Sequence, residues 1–252
     1  MGDDNVPLPS SAPVVFLAHG YLGSRFDLSH LAEALAAKGF LVVSAEYPES
    51  LAASYDRIEG LDRSVITTKL LQTLQNEWNV QATSYGIIGH SLGCGTAIRT
   101  GDATWTRVCI SGFPGNAVQI PGKVLFLSSM NDGVVSLRTR GGLAAIPSDY
   151  VQLKEQDFLT TMQPSTTQGS TIPGRAALIF DRPDAPNHIS FLAEGVNDAM
   201  VDFLSPLLPL AQSLSIPVLD FDRYKESRDS IATAEIVLPL ITTYLQQNMK
   251  TS

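Results

Sequence analysis

Ser91 stands in Gly89-His90-Ser91-Leu92-Gly93, a G-x-S-x-G pentapeptide. A serine between such glycines suits nucleophilic attack on an acyl carbon. The glycines remove the Cβ atoms that would clash in a tight, strained strand-to-helix turn, so the serine oxygen stands clear of the sheet. The bare pentapeptide is common by chance, and its surroundings sharpen it. An apolar run, Ser84 to Ile88, comes immediately before, and small residues Cys94, Gly95, Thr96 and Ala97 come immediately after.

A serine nucleophile needs a base and a group that orients the base. The chain has four histidines. His19 precedes Gly20 at the end of the first apolar run and has a structural place. His30 falls on the polar side of a helix. His90 lies inside the elbow, where its side chain points away from the Ser91 hydroxyl. His188 remains, in a loop that follows the run Ala176 to Phe180, the expected position of a base at the C-terminal end of the last strand. The acid is expected at the end of the preceding strand, where Asp132 lies in Met130-Asn131-Asp132-Gly133-Val134-Val135. Asp181 and Asp184, nearer to His188 in sequence, stay as rivals. The oxyanion requires backbone donors. The N–H of Leu92, at the start of the helix after the nucleophile, is one candidate. The N–H of Tyr21, in His19-Gly20-Tyr21-Leu22-Gly23, is the other, and the Tyr21 ring is a candidate wall for an acyl pocket.

Something must hold these groups together, and the pattern of the chain predicts it. Apolar runs at 14–18, 40–45, 84–88, 108–110, 124–127 and 176–180 alternate with helical spacing. Unbroken apolar strands alternating with helices imply an α/β fold, a mostly parallel central sheet with helices on both faces. Ser24 to Asp27 has a capping-box pattern, Gly39 fits a helix C-cap, and Asp62 fits an N-cap. A final helix is predicted from about 228 to 247, with Pro239 expected to kink it.

The chain has 252 residues, of which 44% are hydrophobic and 17% charged, enough for one sizeable core. We expect a single domain over 1–252, with an N-terminal tail at 1–12, a surface loop at 159–173 and an extra or cap segment at 193–227. Residues 203–219 are apolar but broken by Pro206, Pro209 and Pro217. They suit core packing better than a lid.

The net charge of −8 and a pI near 4.9 disfavour nucleic acid as a partner. Cys94 and Cys109 sit in apolar runs and read as buried free thiols, not as a zinc site. No cofactor or metal is expected. The start of the chain lacks the features of a signal peptide, and no apolar run approaches the roughly 20 residues of a membrane span. The expectation is a cytoplasmic protein without membrane insertion. Oligomeric state is open.

Taken together, His19-Gly20, the elbow at 89–93, Asp132 and His188, in the order serine, acid, histidine, resemble the α/β-hydrolase superfamily over about residues 13 to 192. Gly-His-Ser-Leu-Gly-Cys-Gly-Thr-Ala at 89–97 and the Asp-Ser-Ile-Ala segment at 229–232 look like platelet-activating-factor acetylhydrolases and their relatives. Cutinase-like and lipase-like esterases share the elbow style. The resemblance implies the α/β-hydrolase fold and a serine esterase acting through an acyl-enzyme on an apolar or lipid-like ester. The alternatives are a thioesterase or lyase using the same triad, and a binding protein or receptor that keeps the triad without using it.

Overall fold

A computed structural model describes residues 7–48, 62–112, 120–135, 146, 148–156, 158, 171–207, 209, 213 and 227–249. The strands are β1 (Ser11–Ala18), β2 (Leu41–Ser44), β3 (Gln81–His90), β4 (Thr106–Ile110), β5 (Lys123–Ser129), β6 (Val151–Lys154) and β7 (Arg175–Phe180). The helices are α1 (Ser29–Ala36), α2 (Arg63–Asn76), α3 (Leu92–Arg99), α4 (Glu194–Leu204) and α5 (Ser230–Asn248).

The strands form one seven-stranded sheet in the order β2-β1-β3-β4-β5-β7-β6, and every pairing is parallel. Side chains alternate between its faces. Val15 and Leu17 of β1, Val108 and Ile110 of β4, and Leu125 and Leu127 of β5 enter one core with Leu31 and Leu35 of α1 and Leu240, Ile241 and Tyr244 of α5. Val14, Phe16, Cys109, Val124 and Phe126 enter the other, with Leu74 of α2 and Cys94 and Ala97 of α3. Both faces are covered, which is why the strands read as continuous apolar runs.

Asp62 caps α2 as its sequence predicts, accepting from the Val65 N–H at 2.8 Å. Gly39, just beyond α1, has φ +86°, the left-handed conformation expected of a helix-terminating glycine. Ser24 and Asp27 are joined through Asp27 Oδ1, but the helix starts later, at Ser29, so the capping-box residues close a turn ahead of it. Pro239 lies within α5, which continues on both sides of it. Cys94 and Cys109 are buried and free.

Three expectations need correction. β1 begins at Ser11, inside the stretch read as a tail, because Ser11 and Ala12 already pair with Gln81 and Ala82. β6 has no counterpart among the expected strands. It is a short edge strand with mostly exposed side chains, so it leaves no apolar run. His30 is not on a polar face: burial pushes its pKa down to about 4. Most of the 159–173 loop and of the apolar 203–219 stretch lies outside the described residues.

Arg107 ties the end of α3 and the loop after it to the sheet. It is fully buried on β4. Its guanidinium donates to five carbonyls, those of Ala97, Thr100, Asp102, Trp105 and Pro121, at 2.8–3.0 Å. The five-donor fork of arginine is thereby satisfied, and the end of α3 is fastened to the sheet.

Candidate active site

The direction in which successive strands are added across the sheet reverses between β1 and β3. β1 leads outward to β2, whereas β3 leads to β4 on the other side. The C-terminal ends of adjacent strands at such a switch point form the usual crevice of an open α/β sheet. Ser91 and the 19–23 loop both lie there.

Ser91 has φ 54° and ψ −118°, a strained conformation for a residue with a Cβ, and it is partly exposed between β3 and α3. Close packing explains the glycines around it. A Cβ on Gly89 would come within 2.1 Å of the Gly93 carbonyl oxygen, and one on Gly93 within 2.0 Å of the Ala18 carbonyl oxygen. The first turn of α3 therefore rests directly on the end of β1. A Cβ on Gly20 would stand 3.2 Å from the Ser91 Cβ, so the β1 loop borders the serine.

Asp132 and His188 are brought together. His188 Nδ1 lies 2.9 Å from Asp132 Oδ2, and both side chains are buried. The other carboxylate oxygen of Asp132 accepts the N–H groups of Val134 and Val135 at 2.9 and 2.8 Å. Burial alone would raise the pKa of this carboxyl, but the His188 ring and these hydrogen bonds outweigh it and hold the group below its ordinary value. An ionised Asp132 thus faces Nδ1, which leaves Nε2 as the nitrogen able to take a proton. Asp181 is exposed, and Asp184 pairs with Arg182 and Arg228. Geometry favours Asp132 over both rivals.

The loops carrying acid and histidine are fastened to each other. Ser129 Oγ donates to the Pro186 carbonyl at 2.5 Å, and Asn131 Nδ2 donates to the carbonyls of Pro183 and Ala185 at 2.9 Å. Asn187 Oδ1 accepts the N–H groups of Ile189 and Ser190, setting a turn around His188.

Ser91 reaches this pair through its neighbour. His90 Nε2 donates to the His188 carbonyl at 2.9 Å, and the two rings lie 4.8 Å apart. Among the hydrogen bonds of the described residues none joins Ser91 Oγ to the His188 ring. Nucleophile–base contacts in unliganded sites are commonly loose and tighten when substrate is bound.

Of the sequence-predicted donors, Leu92 follows the serine directly, and Tyr21 follows Gly20, the residue that borders it. Leu92 is the first residue of α3, and its N–H belongs to the unpaired first turn of a helix. Tyr21 occupies a turn closed by the Gly23 N–H on the Gly20 carbonyl at 3.3 Å, with Leu22 at φ 58°. Their side chains are exposed, 61% for Tyr21 and 41% for Leu92.

Arg63 and the role of the His90 imidazole escape a reading of the sequence alone. Arg63 opens α2 and belongs to no motif, and it donates to the backbone carbonyls of His19 and Gly20, which carry no sequence signal. Among the described residues no group of three or more His, Cys, Asp and Glu side chains is placed to hold a metal ion. No described helix is long and apolar enough to cross a membrane.

No protein-family model and no curated protein matches this sequence. Several solved structures are similar in chain course. An esterase from Pyrococcus furiosus aligns at 14% identity and TM-score 0.46, covering 79% of this chain and 82% of its own. A serine hydrolase without a lid from Xanthomonas campestris aligns at 14% and 0.47, covering 81% and 85%. A protein of unknown function from Agrobacterium tumefaciens aligns at 11% and 0.48, covering 81% and 87%. The parallel seven-stranded sheet with a strand–turn–helix elbow at its switch point is the arrangement of the α/β-hydrolase fold.

Proposed function

We propose that this chain is a serine hydrolase that cleaves carboxylic esters through an acyl-enzyme. The observation that carries the reading is the buried Asp132–His188 hydrogen bond of 2.9 Å, with the His188 carbonyl held by His90, the residue before a strained, partly exposed Ser91.

In this reading Ser91 Oγ attacks the ester carbonyl while His188 Nε2 takes its proton. The imidazolium that forms is held by ionised Asp132. The N–H groups of Leu92 and Tyr21 receive the oxyanion. As the tetrahedral intermediate collapses, His188 returns the proton to the departing alcohol. Water then enters, loses a proton to His188 and attacks the acyl carbon; as the bond to Ser91 Oγ breaks, His188 gives that proton to Oγ, which frees the acid and restores Ser91.

The exposed side chains of Leu92, next to the serine in the chain, and of Tyr21, next to Gly20, support an apolar acyl group in the substrate. The resemblance of residues 89–97 to acetylhydrolase elbows supports a short acyl chain on a lipid-like alcohol.

Turnover of p-nitrophenyl esters of graded acyl length tests the reading. The expected result is hydrolysis that peaks at one chain length and is lost in Ser91→Ala. Hydrolysis of equal rate in wild type and Ser91→Ala would overturn it.

A further inference from the structure

Gly20 begins the loop beside Ser91, and glycine leaves its peptide groups free to rotate. The structure nevertheless holds them firmly. The carbonyl of Gly20 accepts the Gly23 N–H at 3.3 Å, His19 Nδ1 at 2.7 Å and Arg63 Nη2 at 3.1 Å. The carbonyl of His19, one residue earlier, accepts Arg63 Nη1 at 2.5 Å. The two terminal nitrogens of one guanidinium thus grip two successive carbonyls. Arg63 is buried, and its guanidinium lies over the Tyr47 ring at 4.3 Å from the centroid, which fixes the fork from behind.

His19 assists in a defined protonation state. Its Nε2 faces the Tyr47 N–H at 3.1 Å, which can only donate, so Nε2 accepts and the proton sits on Nδ1. Burial, opposed by the Gly20 bond and joined by the charge of Arg63, keeps the ring's pKa below its ordinary value, in keeping with a neutral ring.

The described peptides are all trans. In a trans peptide the N–H points opposite to the C=O of the same unit. The Gly20 carbonyl is drawn toward Arg63, so the N–H of Tyr21 is turned away from Arg63. We infer that Arg63 is a positioning residue of the oxyanion hole: by clamping the carbonyls of His19 and Gly20 it aims the Tyr21 N–H at the oxygen that becomes negative. The inference rests on the serine-hydrolase reading above. It assigns no contact between Arg63 and substrate. Arginine suits this role and lysine does not, because a single ammonium cannot bridge both carbonyls in the geometry of the fork.

Arg63→Lys, Arg63→Gln and Arg63→Ala test it, each checked for folding by thermal unfolding. We measure kcat and KM on a p-nitrophenyl ester, and the affinity of an aryl trifluoromethyl ketone, whose serine adduct carries an oxyanion. Misaiming one donor is expected to lower kcat about 10- to 100-fold with KM nearly unchanged, and to weaken the ketone by the same factor as kcat/KM. Added guanidinium ion is expected to restore part of kcat in Arg63→Ala and none in Ser91→Ala. A folded Arg63→Lys with wild-type kcat and ketone affinity would overturn the inference, as would a loss confined to KM. A measurement on the unaltered protein guards against variants that fail to fold. With 15N-tyrosine labelling, the ketone adduct is expected to shift the Tyr21 amide resonance downfield, and an unmoved resonance in a formed adduct overturns the role. Wild-type protein that hydrolyses no ester and forms no ketone adduct removes the serine-hydrolase reading itself. Active wild type with unaffected Arg63 variants removes only the clamp.

Discussion

His90 donates from Nε2 to the backbone carbonyl of His188 across 2.9 Å, so the residue before the serine holds the residue proposed as its base. Burial, with His188 nearby, pushes the His90 pKa down to about 3, which leaves the ring neutral with its proton on Nε2. His90→Phe keeps a ring of similar shape and loses the donor. We expect the orphaned His188 carbonyl to cost about 1–3 kcal/mol of stability, read from the urea midpoint. Looser placement of His188 should lower kcat about tenfold at unchanged Ser91 accessibility. Wild-type kcat with reduced stability would show that the bond serves the fold alone.

Acid sensitivity follows from three histidines. His19, His30 and His90 all have folded-state pKa values below the ordinary 6.5, with His30 at about 4 and His90 at about 3. As pH falls through 6.5 the unfolded chain takes up protons that the folded chain refuses. Stability is therefore full above 6.5 and declines between 6.5 and 4, by up to about 1.4 kcal/mol per pH unit for each such group. Asp27, raised by burial, opposes this closer to the carboxylate range, whereas Asp132, lowered, adds to the loss only there. Urea midpoints at about pH 7.5, 6 and 5 should fall in that order, and less steeply in His30→Phe. Equal midpoints at all three would contradict the neutral histidines.

Asp132→Asn and Asp184→Asn separate the candidate acids. Replacing Asp132 lets the amide donate toward Nδ1 and favours the wrong tautomer of His188. A loss in kcat of about 10³- to 10⁴-fold is expected. Asp184 meets Arg228 at 3.4 Å and is half exposed, so Asp184→Asn should change kcat less than about twofold. The reverse order in steady-state assays would reassign the acid.

Arg107→Met removes the donors from five carbonyls, three of them in buried contacts, while keeping much of the side-chain volume. We expect a loss of about 3 kcal/mol or more in chemical unfolding, from carbonyls left without partners. A change under about 1 kcal/mol would mean that water replaces the guanidinium without cost.

Much of this was legible in the residues. Buried strands such as Val14–Ala18 and Ala176–Phe180 are covered on both faces, so they stand out as apolar runs, and the glycines of 89–93 report a crowded turn. Asp132 could be preferred to Asp181 and Asp184 because strand order determines which loops meet. Other features had no such trace. Val151–Lys154 pairs only at the sheet edge and buries little. His30, which has Asp27 and Glu33 one helical turn away in sequence, is half-buried by tertiary packing. Arg63 and His90 both act on carbonyls, and backbone partners look alike in every sequence.

Reaction with a fluorophosphonate, followed by intact mass and peptide mapping, tests the central claim most directly. The account predicts one adduct per chain, on the peptide bearing Ser91, absent in Ser91→Ala and formed far more slowly in Asp132→Asn. A folded wild-type protein that takes up no label, or takes it up on another residue, would contradict it.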